Sequence, residues 1–303
     1  MSFNESVTVA GVLFKNPVIT ASGTFNFGRE FEEFYPLSAL GGISTKGLTL
    51  CRRDGNRPPR VAETPSGMLN SVGLQNPGIE YFLKNELPYL RTRGTVIIAN
   101  IAGSTVDDYR EIAEKAGESA VDMLELNISC PNVKEGGVAF GTLPSKVREV
   151  TEIAKAACGR KPLIVKLTPN VAKISDNAKA AEDGGADAIS LINTLTGLAV
   201  DYRTRKPILA NVTGGLSGPA VKPIALKMVW ECYNAVKIPI IGMGGISSYT
   251  DALEFIIAGA TAVQVGTANL VTPTAAYDIV RDLRAYLKEN DLDVNKLRGS
   301  LVI

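Results

Sequence analysis

Histidine is absent from this 303-residue chain, and tryptophan occurs once. Without imidazole there is no Ser-His-Asp triad, no Cys-His pair and no His-bearing metal site. Any acid–base work falls to Cys, Lys, Asp, Glu, Tyr or a hydroxyl. Cysteine is scarce too: Cys51, Cys130, Cys158 and Cys232 lie far apart, with no C-x-x-C pair. That spacing offers no zinc or iron–sulfur ligand set and no disulfide framework, so no metal site is expected. Neither charge sign dominates, with 32 Lys+Arg against 31 Asp+Glu. The missing basic field argues against nucleic acid as a partner. No apolar run approaches the roughly 18 residues of a membrane span. The N-terminal "MSFNESVTVAGVLFKNPVIT" lacks the basic-then-apolar pattern of a signal peptide. The simplest expectation is a soluble cytoplasmic protein.

What is present is an ample apolar content, 45%, arranged in short β-rich runs that end in small or polar residues. They cover 16–22, 41–47, 95–100, 121–127, 162–167, 186–193, 238–245 and 261–266. Amphipathic stretches separate most of them, at 105–119, 144–158, 173–184, 219–235, 248–259 and 273–289. Runs that are apolar throughout suit parallel strands covered on both faces. Eight of them alternating with helices predict an α/β fold, a (β/α)8 TIM barrel in one domain over residues 1–303. A doubly wound sheet is the alternative, but no G-x-G-x-x-G follows the first strand. Two intervals, 47–94 and 194–218, exceed a simple βα unit and follow strand ends, so they are expected to roof the catalytic face. Residues 47–94 read as turn-rich segments before a helix near 78–90, and 194–218 as strands and loops. Residues 1–16 read as a hairpin closing the opposite end.

In a barrel the strand C-termini converge on the site. Here they carry Ser22, Thr45, Lys46, Asn100, Asn127, Lys166, Asn193 and Thr194. Singly, an Asn there reads as a turn former or helix cap. Two lysines ending apolar strands must find a counter-charge or water, and together imply an anionic ligand. "GMGGISS" (242–248) and "VGTANL" (265–270) are Gly-rich turns leading to helix-like sequence, after strands 7 and 8, where barrels often bind phosphate. Cys158 and Cys232 read as buried small side chains, and Cys51 as a loop residue. Cys130, in "LELNISCPNV" (124–133), lies past a strand end between Asn127 and Asn132. By position it suits either a packing role or proton transfer, since a reference thiol pKa of about 8.5 needs only modest lowering. Gly136, Gly137 and Gly141 suggest that 130–141 is a mobile lid.

The motifs "NISCPNV" (127–133), "STKGLT" (44–49), "NSVGLQNPG" (70–78), "VKLTPN" (165–170), "GGLSGPAVKPIAL" (214–226), "GMGGI" (242–246) and "VQVGTA" (263–268) resemble class 1 dihydroorotate dehydrogenases. The likeness is in order and spans nearly the whole chain. It implies an FMN-dependent barrel that oxidises (S)-dihydroorotate to orotate in pyrimidine biosynthesis. By motif it gives Cys130 the role of base at C5, with hydride passing from C6 to flavin, and it sets Lys166 beside flavin N1/C2=O. Class 2 members use Ser as base, so Cys130 favours class 1. The resemblance assigns Lys46, Asn70, Ser71, Val72, Gly73, Leu74, Asn127, Asn193 and Thr194 to the substrate, with Asn132 nearby. It assigns Ser22, Thr45, Lys46, Asn100, Asn127, Lys166 and Ile192 to FMN, and Gly218, Gly244, Gly245, Gly266 and Thr267 to its phosphate end.

"NSVGLQNPG" and "NVKEGGVAFG" look like the NAD-linked class 1B catalytic subunit more than the fumarate-linked class 1A enzyme. Class 1B implies a homodimer core joined by an electron-transfer subunit carrying FAD and [2Fe–2S], as a heterotetramer. Alternative readings are the pyrimidine-reducing domain of dihydropyrimidine dehydrogenases, which acts on an uncharged ring, and a non-catalytic phosphate-binding barrel subunit.

Overall fold

The computed structural model describes residues 3–129 and 140–303. Each apolar run forms a strand: β1 (Val18–Thr20), β2 (Gly42–Ser44), β3 (Val96–Ile101), β4 (Met123–Asn127), β5 (Leu163–Lys166), β6 (Ala188–Leu191), β7 (Ile240–Met243) and β8 (Ala262–Val265). Neighbours pair in parallel and β8 returns to β1, so the sheet closes as a barrel in chain order. Closure rules out the doubly wound alternative. The strands are buried almost without interruption, because side chains fill the barrel and helices cover it. That is the physical reason they read as continuous apolar runs.

The helices of nine residues or more fall within the stretches expected for them, from Val106–Gly117 to Ala275–Glu289, while the single turns Ala268–Val271 and Val294–Leu297 lie outside those stretches. Two begin with reciprocal capping boxes, Thr105 with Asp108 and Ser248 with Asp251. The helix expected near 78–90 is interrupted: Ile79–Tyr81 and Leu87–Arg91 flank a wider, π-type turn at Phe82–Glu86. Pro88 accounts for the widening, since it has no N–H to offer the preceding turn and its ring crowds the carbonyl there.

The first hairpin pairs Val7–Val9 with Val12–Phe14. Its tight turn needs positive φ at both central residues, 48° at Ala10 and 82° at Gly11. Phe14 is fully buried beneath the barrel. A Cβ on Gly42, at the start of β2, would lie 2.8 Å from the Phe14 ring. The hairpin therefore plugs the N-terminal end of the barrel, as expected.

At the opposite end the two long insertions meet. Leu195–Leu198, Thr213–Ser217, Gly67–Asn70 and Val61–Thr64 form one antiparallel sheet in that order. Ala62, Leu69 and Leu209 give it a small core of its own. The segment 47–94 thus contributes a hairpin within the part expected to be turn-rich. The proposed lid at 130–141 lies, apart from Phe140 and Gly141, outside the described residues, as do Cys130 and Asn132. Among the described residues no helix is long and apolar enough to cross a membrane.

Candidate active site

The strand C-termini and the antiparallel sheet enclose a cavity of about 750 Å³. Parallel pairing fixes which residues share its floor. Asn100 lies opposite Glu125, Asn127 opposite Lys166, and Lys166 opposite Ser190. One register therefore brings amides, a carboxylate and a lysine to neighbouring strand ends.

Glu125 is wholly buried, inside an otherwise apolar strand. A lone carboxylate there would be costly, and its neighbours compensate for it. Its Oε2 accepts from Ser44 Oγ and Asn100 Nδ2, both at 2.7 Å. Its Oε1 accepts from Ser190 Oγ and Gln264 Nε2, both at 2.8 Å. Lys166 Nζ stands 4.0 Å from Oε2 and donates to Ser22 Oγ at 3.2 Å. Burial works to raise the Glu125 carboxyl, but the Lys166 charge and the hydrogen bonds outweigh it and hold the group below the ordinary carboxylate range. From Asn100 the amides continue outward through longer contacts. Asn127 Nδ2 donates to Asn100 Oδ1 at 3.4 Å, and Asn193 Nδ2 approaches Asn127 Oδ1 at 3.5 Å.

Lys46, the second cation of the cavity wall, has no carboxylate within ion-pair distance among the described residues. Burial lowers its pKa from the usual lysine value, and the nearby Arg60 adds to the effect. A cation held this way is primed for an anionic ligand.

Beyond β7 and β8 the wall is backbone. Gly244 and Gly245 adopt φ of 122° and 79°. A Cβ on Gly245 would sit 2.8 Å from the Gly218 carbonyl and 2.9 Å from the Lys222 amide. Only glycine allows these two turns to approach so closely. Asp251 secures the turn by accepting from the N–H groups of Ser247 and Ser248, both at 2.9 Å, and from Lys222 Nζ at 2.6 Å. Burial works to raise the Asp251 carboxyl, but the Lys222 and serine hydrogen bonds prevail and hold it at about 2. A folded-state pKa below the unfolded one stabilises above the unfolded value and is lost as pH falls through the folded one. Asp251→Ala is therefore expected to cost about 1–2 kcal/mol at neutral pH. In urea titrations that deficit should shrink as pH drops from about 4 towards 2.

Most of the residues singled out in the sequence line this cavity. Ser22, Lys46, Asn70, Ser71, Val72, Gly73 and Leu74 do so, with Asn100, Asn127, Lys166, Ile192, Asn193 and Thr194. Gly218, Gly244, Gly245, Gly266 and Thr267 line its other end. Thr45 stands behind the wall: it is fully buried, and its hydroxyl accepts from the Asn100 N–H at 3.2 Å and donates to the Lys46 carbonyl at 3.3 Å. Cys130 and Asn132 lie outside the described residues, but Cys130 directly follows Ser129, a residue of the cavity wall. Glu125 and Gln264 escaped the sequence reading. The available signal was a carboxylate within the apolar run "VDMLELN" and an amide within "TAVQVG".

A (β/α)8 barrel with a cation-bearing cavity at its strand ends defines a ligand-binding barrel built for an anionic partner. Residues 5–287 match the dihydroorotate dehydrogenase family, and the chain belongs to it. It is 56% identical to the dihydroorotate dehydrogenase B (NAD(+)) catalytic subunit of Alkaliphilus metalliredigens, over 98% of this chain and 99% of that one. It is 55% identical to the protein of the same name from Geotalea uraniireducens, over 98% of each chain. The Thermoanaerobacter pseudethanolicus protein of that name is 54% identical over 99% of each. These names agree with the NAD-linked subclass expected from the motifs.

Proposed function

We propose that this chain oxidises (S)-dihydroorotate to orotate in pyrimidine biosynthesis, as the catalytic subunit of an NAD-linked enzyme with FMN in the strand-end cavity. The observation that carries this reading is the gathering of Lys46, Lys166, Asn100, Asn127 and Asn193 on one cavity wall, in a chain of this family. The donor chemistry of the cavity suits FMN. Gln264 Oε1 is buried without a partner among the described residues, ready for a ring N–H. Lys166 and the glycine turns suit an anionic ring edge and a phosphate.

FMN, when bound, supplies the acceptor for the hydride that leaves C6 of the substrate. Ser22, Thr45, Lys46, Asn100, Asn127, Lys166 and Ile192 are the residues we assign to holding it, Thr45 acting from behind the wall. Gly218, Gly244, Gly245, Gly266 and Thr267 are assigned to its phosphate. Lys166 adds positive charge where negative charge gathers on the ring edge. Cys130 is the base that removes the proton from C5. Asn70, Asn127, Asn132, Asn193 and Thr194 bond the N–H and C=O groups of the substrate ring. Lys46 and the N–H groups near Gly73 and Leu74 hold its carboxylate, with Ser71 and Val72 completing that wall.

The words "catalytic subunit" in the relatives' names support a complex. We take the partner to carry FAD and [2Fe–2S] and to pass electrons to NAD, in a heterotetramer on a homodimer core. The free thiols Cys51, Cys158 and Cys232 suit a reducing compartment, and a cytoplasmic location goes with this reading.

The substrate's carboxylate separates this reading from a dihydropyrimidine dehydrogenase-like one. Dihydroorotate should reduce the flavin, and dihydrouracil should leave it oxidised. Orotate affinity should fall as pH rises through the pKa of Lys46, which burial sets below the ordinary lysine value. Lys46→Met should weaken orotate at neutral pH by roughly 30-fold or more and abolish that alkaline loss. Equal turnover of dihydrouracil would reassign the substrate.

A further inference from the structure

We propose that Glu125 is a positioning residue: its carboxylate fixes which end of the Asn100 and Gln264 amides faces the cavity, and it holds Lys166 at the cavity edge. The inference rests on the functional reading above and extends it to a residue that touches neither substrate nor cofactor.

An ionised carboxylate can only accept hydrogen bonds. Every group facing Glu125 must therefore present a donor. The 2.7 Å contact from Asn100 and the 2.8 Å contact from Gln264 must come from their NH2 groups, because a carbonyl oxygen so close to a carboxylate would be repelled. Each amide is thereby turned so that its oxygen points elsewhere. Asn100 Oδ1 is left to accept from Asn127 Nδ2, at 3.4 Å. That leaves Asn127 Oδ1 towards Asn193 Nδ2, at 3.5 Å. Gln264 Oε1 is left buried, unpartnered among the described residues, in a residue of the cavity wall. The polarity of Asn100 and Gln264, and of the Oδ1 that Asn100 offers to Asn127, thus originates at one buried charge, while Asn193 has its own anchor in the Thr194 N–H, from which its Oδ1 accepts at 2.9 Å.

The contacts of Asn127, to Asn100, Asn193 and the Ser129 N–H, are all long, so its amide gains little from each and could flip if Asn100 were ambiguous. A glutamine at 125 would be ambiguous, since it offers one acceptor and one donor to partners now arranged for two acceptors. The same charge balances Lys166, 4.0 Å away and 5% exposed. Removing it leaves an uncompensated cation beside the cavity, which favours added electrons there.

The test uses the full-length FMN-loaded protein and its Glu125→Gln and Ser190→Ala variants. Ser190→Ala removes one hydrogen bond to Oε1 but keeps the carboxylate, Asn100 and Lys166. Orotate is titrated against the flavin spectrum, and the flavin midpoint potential is measured without substrate. Glu125→Gln should weaken orotate tenfold or more. It should also raise the potential by about 30 mV or more, equivalent to tenfold in a two-electron equilibrium. Ser190→Ala should stay within twofold of wild type in both. A purely structural role for Glu125 would lower stability or FMN content with no positive shift, and that result overturns the proposal. Should Glu125→Gln not fold, Asn100→Leu removes the first amide without stranding a charge. Orotate affinity within twofold of wild type in that variant overturns the proposal as well. A wild-type flavin indifferent to orotate removes the functional reading and this inference together. A responsive wild type matched by Glu125→Gln removes this inference alone.

Discussion

Replacing Cys130 by serine is expected to leave a yellow, FMN-loaded protein whose flavin dihydroorotate reduces about 10²–10⁴-fold more slowly than in the wild type. The chain has no histidine, so no imidazole stands by to take over the C5 proton. A thiol near its reference pKa of about 8.5 is partly ionised close to neutral pH, whereas a serine hydroxyl is not. The surrounding chain supports the assignment. Ser129 lines the cavity, its N–H approaching Asn127 Oδ1 at 3.4 Å and its hydroxyl the Lys166 carbonyl at 3.4 Å. On the far side of residues 130–139, Gly141 N–H donates to the Ile128 carbonyl at 2.9 Å. A Cβ at Gly141 would lie 2.8 Å from that same oxygen, so glycine is what lets the chain rejoin β4 there. Stopped-flow reduction against pH decides the matter. The wild-type rate should climb as the thiol ionises, and the serine variant should lack that rise. Near-normal reduction of Cys130→Ser at neutral pH would take the residue out of the base role.

Lys166→Met should be nearly as severe, slowing flavin reduction by about 10²–10³-fold, the range for losing one preorganised charge-stabilising group. Its effect on potential should oppose that of Glu125→Gln. Loss of the cation leaves the Glu125 carboxylate as the only charge of the pair, so the midpoint potential should fall. Its four hydrogen bonds from Ser44, Asn100, Ser190 and Gln264 remain, so the barrel floor should survive. Equal and opposite directions in the two variants would identify Lys166 and Glu125 as one electrostatic unit. An unchanged potential in Lys166→Met would detach the lysine from the flavin altogether.

The barrel was legible because its strands are buried on both faces, which leaves continuous apolar runs punctuated by Gly and Asn. The strand-end residues of the cavity, Ser22, Lys46, Asn100, Asn127, Lys166, Asn193 and Thr194, were legible for a related reason: in this architecture the strand ends have only one place to go. The floor beneath them was not. Glu125 meets Asn100 across 25 residues of chain, but Ser190 across 65, Ser44 across 81 and Gln264 across 139. No local pattern announces that four distant donors will converge on one carboxylate. Thr45 lies behind the wall for a local reason. It sits beside Lys46 at a strand end, yet neighbouring side chains point to opposite sides of an extended backbone, and only Lys46 reaches the cavity. The hairpin of Val61–Thr64 and Gly67–Asn70 was hidden by its brevity and by its pairing with Thr213–Ser217, which comes much later in the chain.

An anaerobic titration of the purified yellow protein with dihydroorotate, followed by the flavin's visible absorbance, tests the proposed reaction most directly. Dihydroorotate should bleach the flavin promptly and dihydrouracil should not, with no reoxidation by fumarate and slow or absent reoxidation by NAD until the electron-transfer subunit is added. A flavin that stays oxidised under excess dihydroorotate would mean that the cavity acts on another substrate.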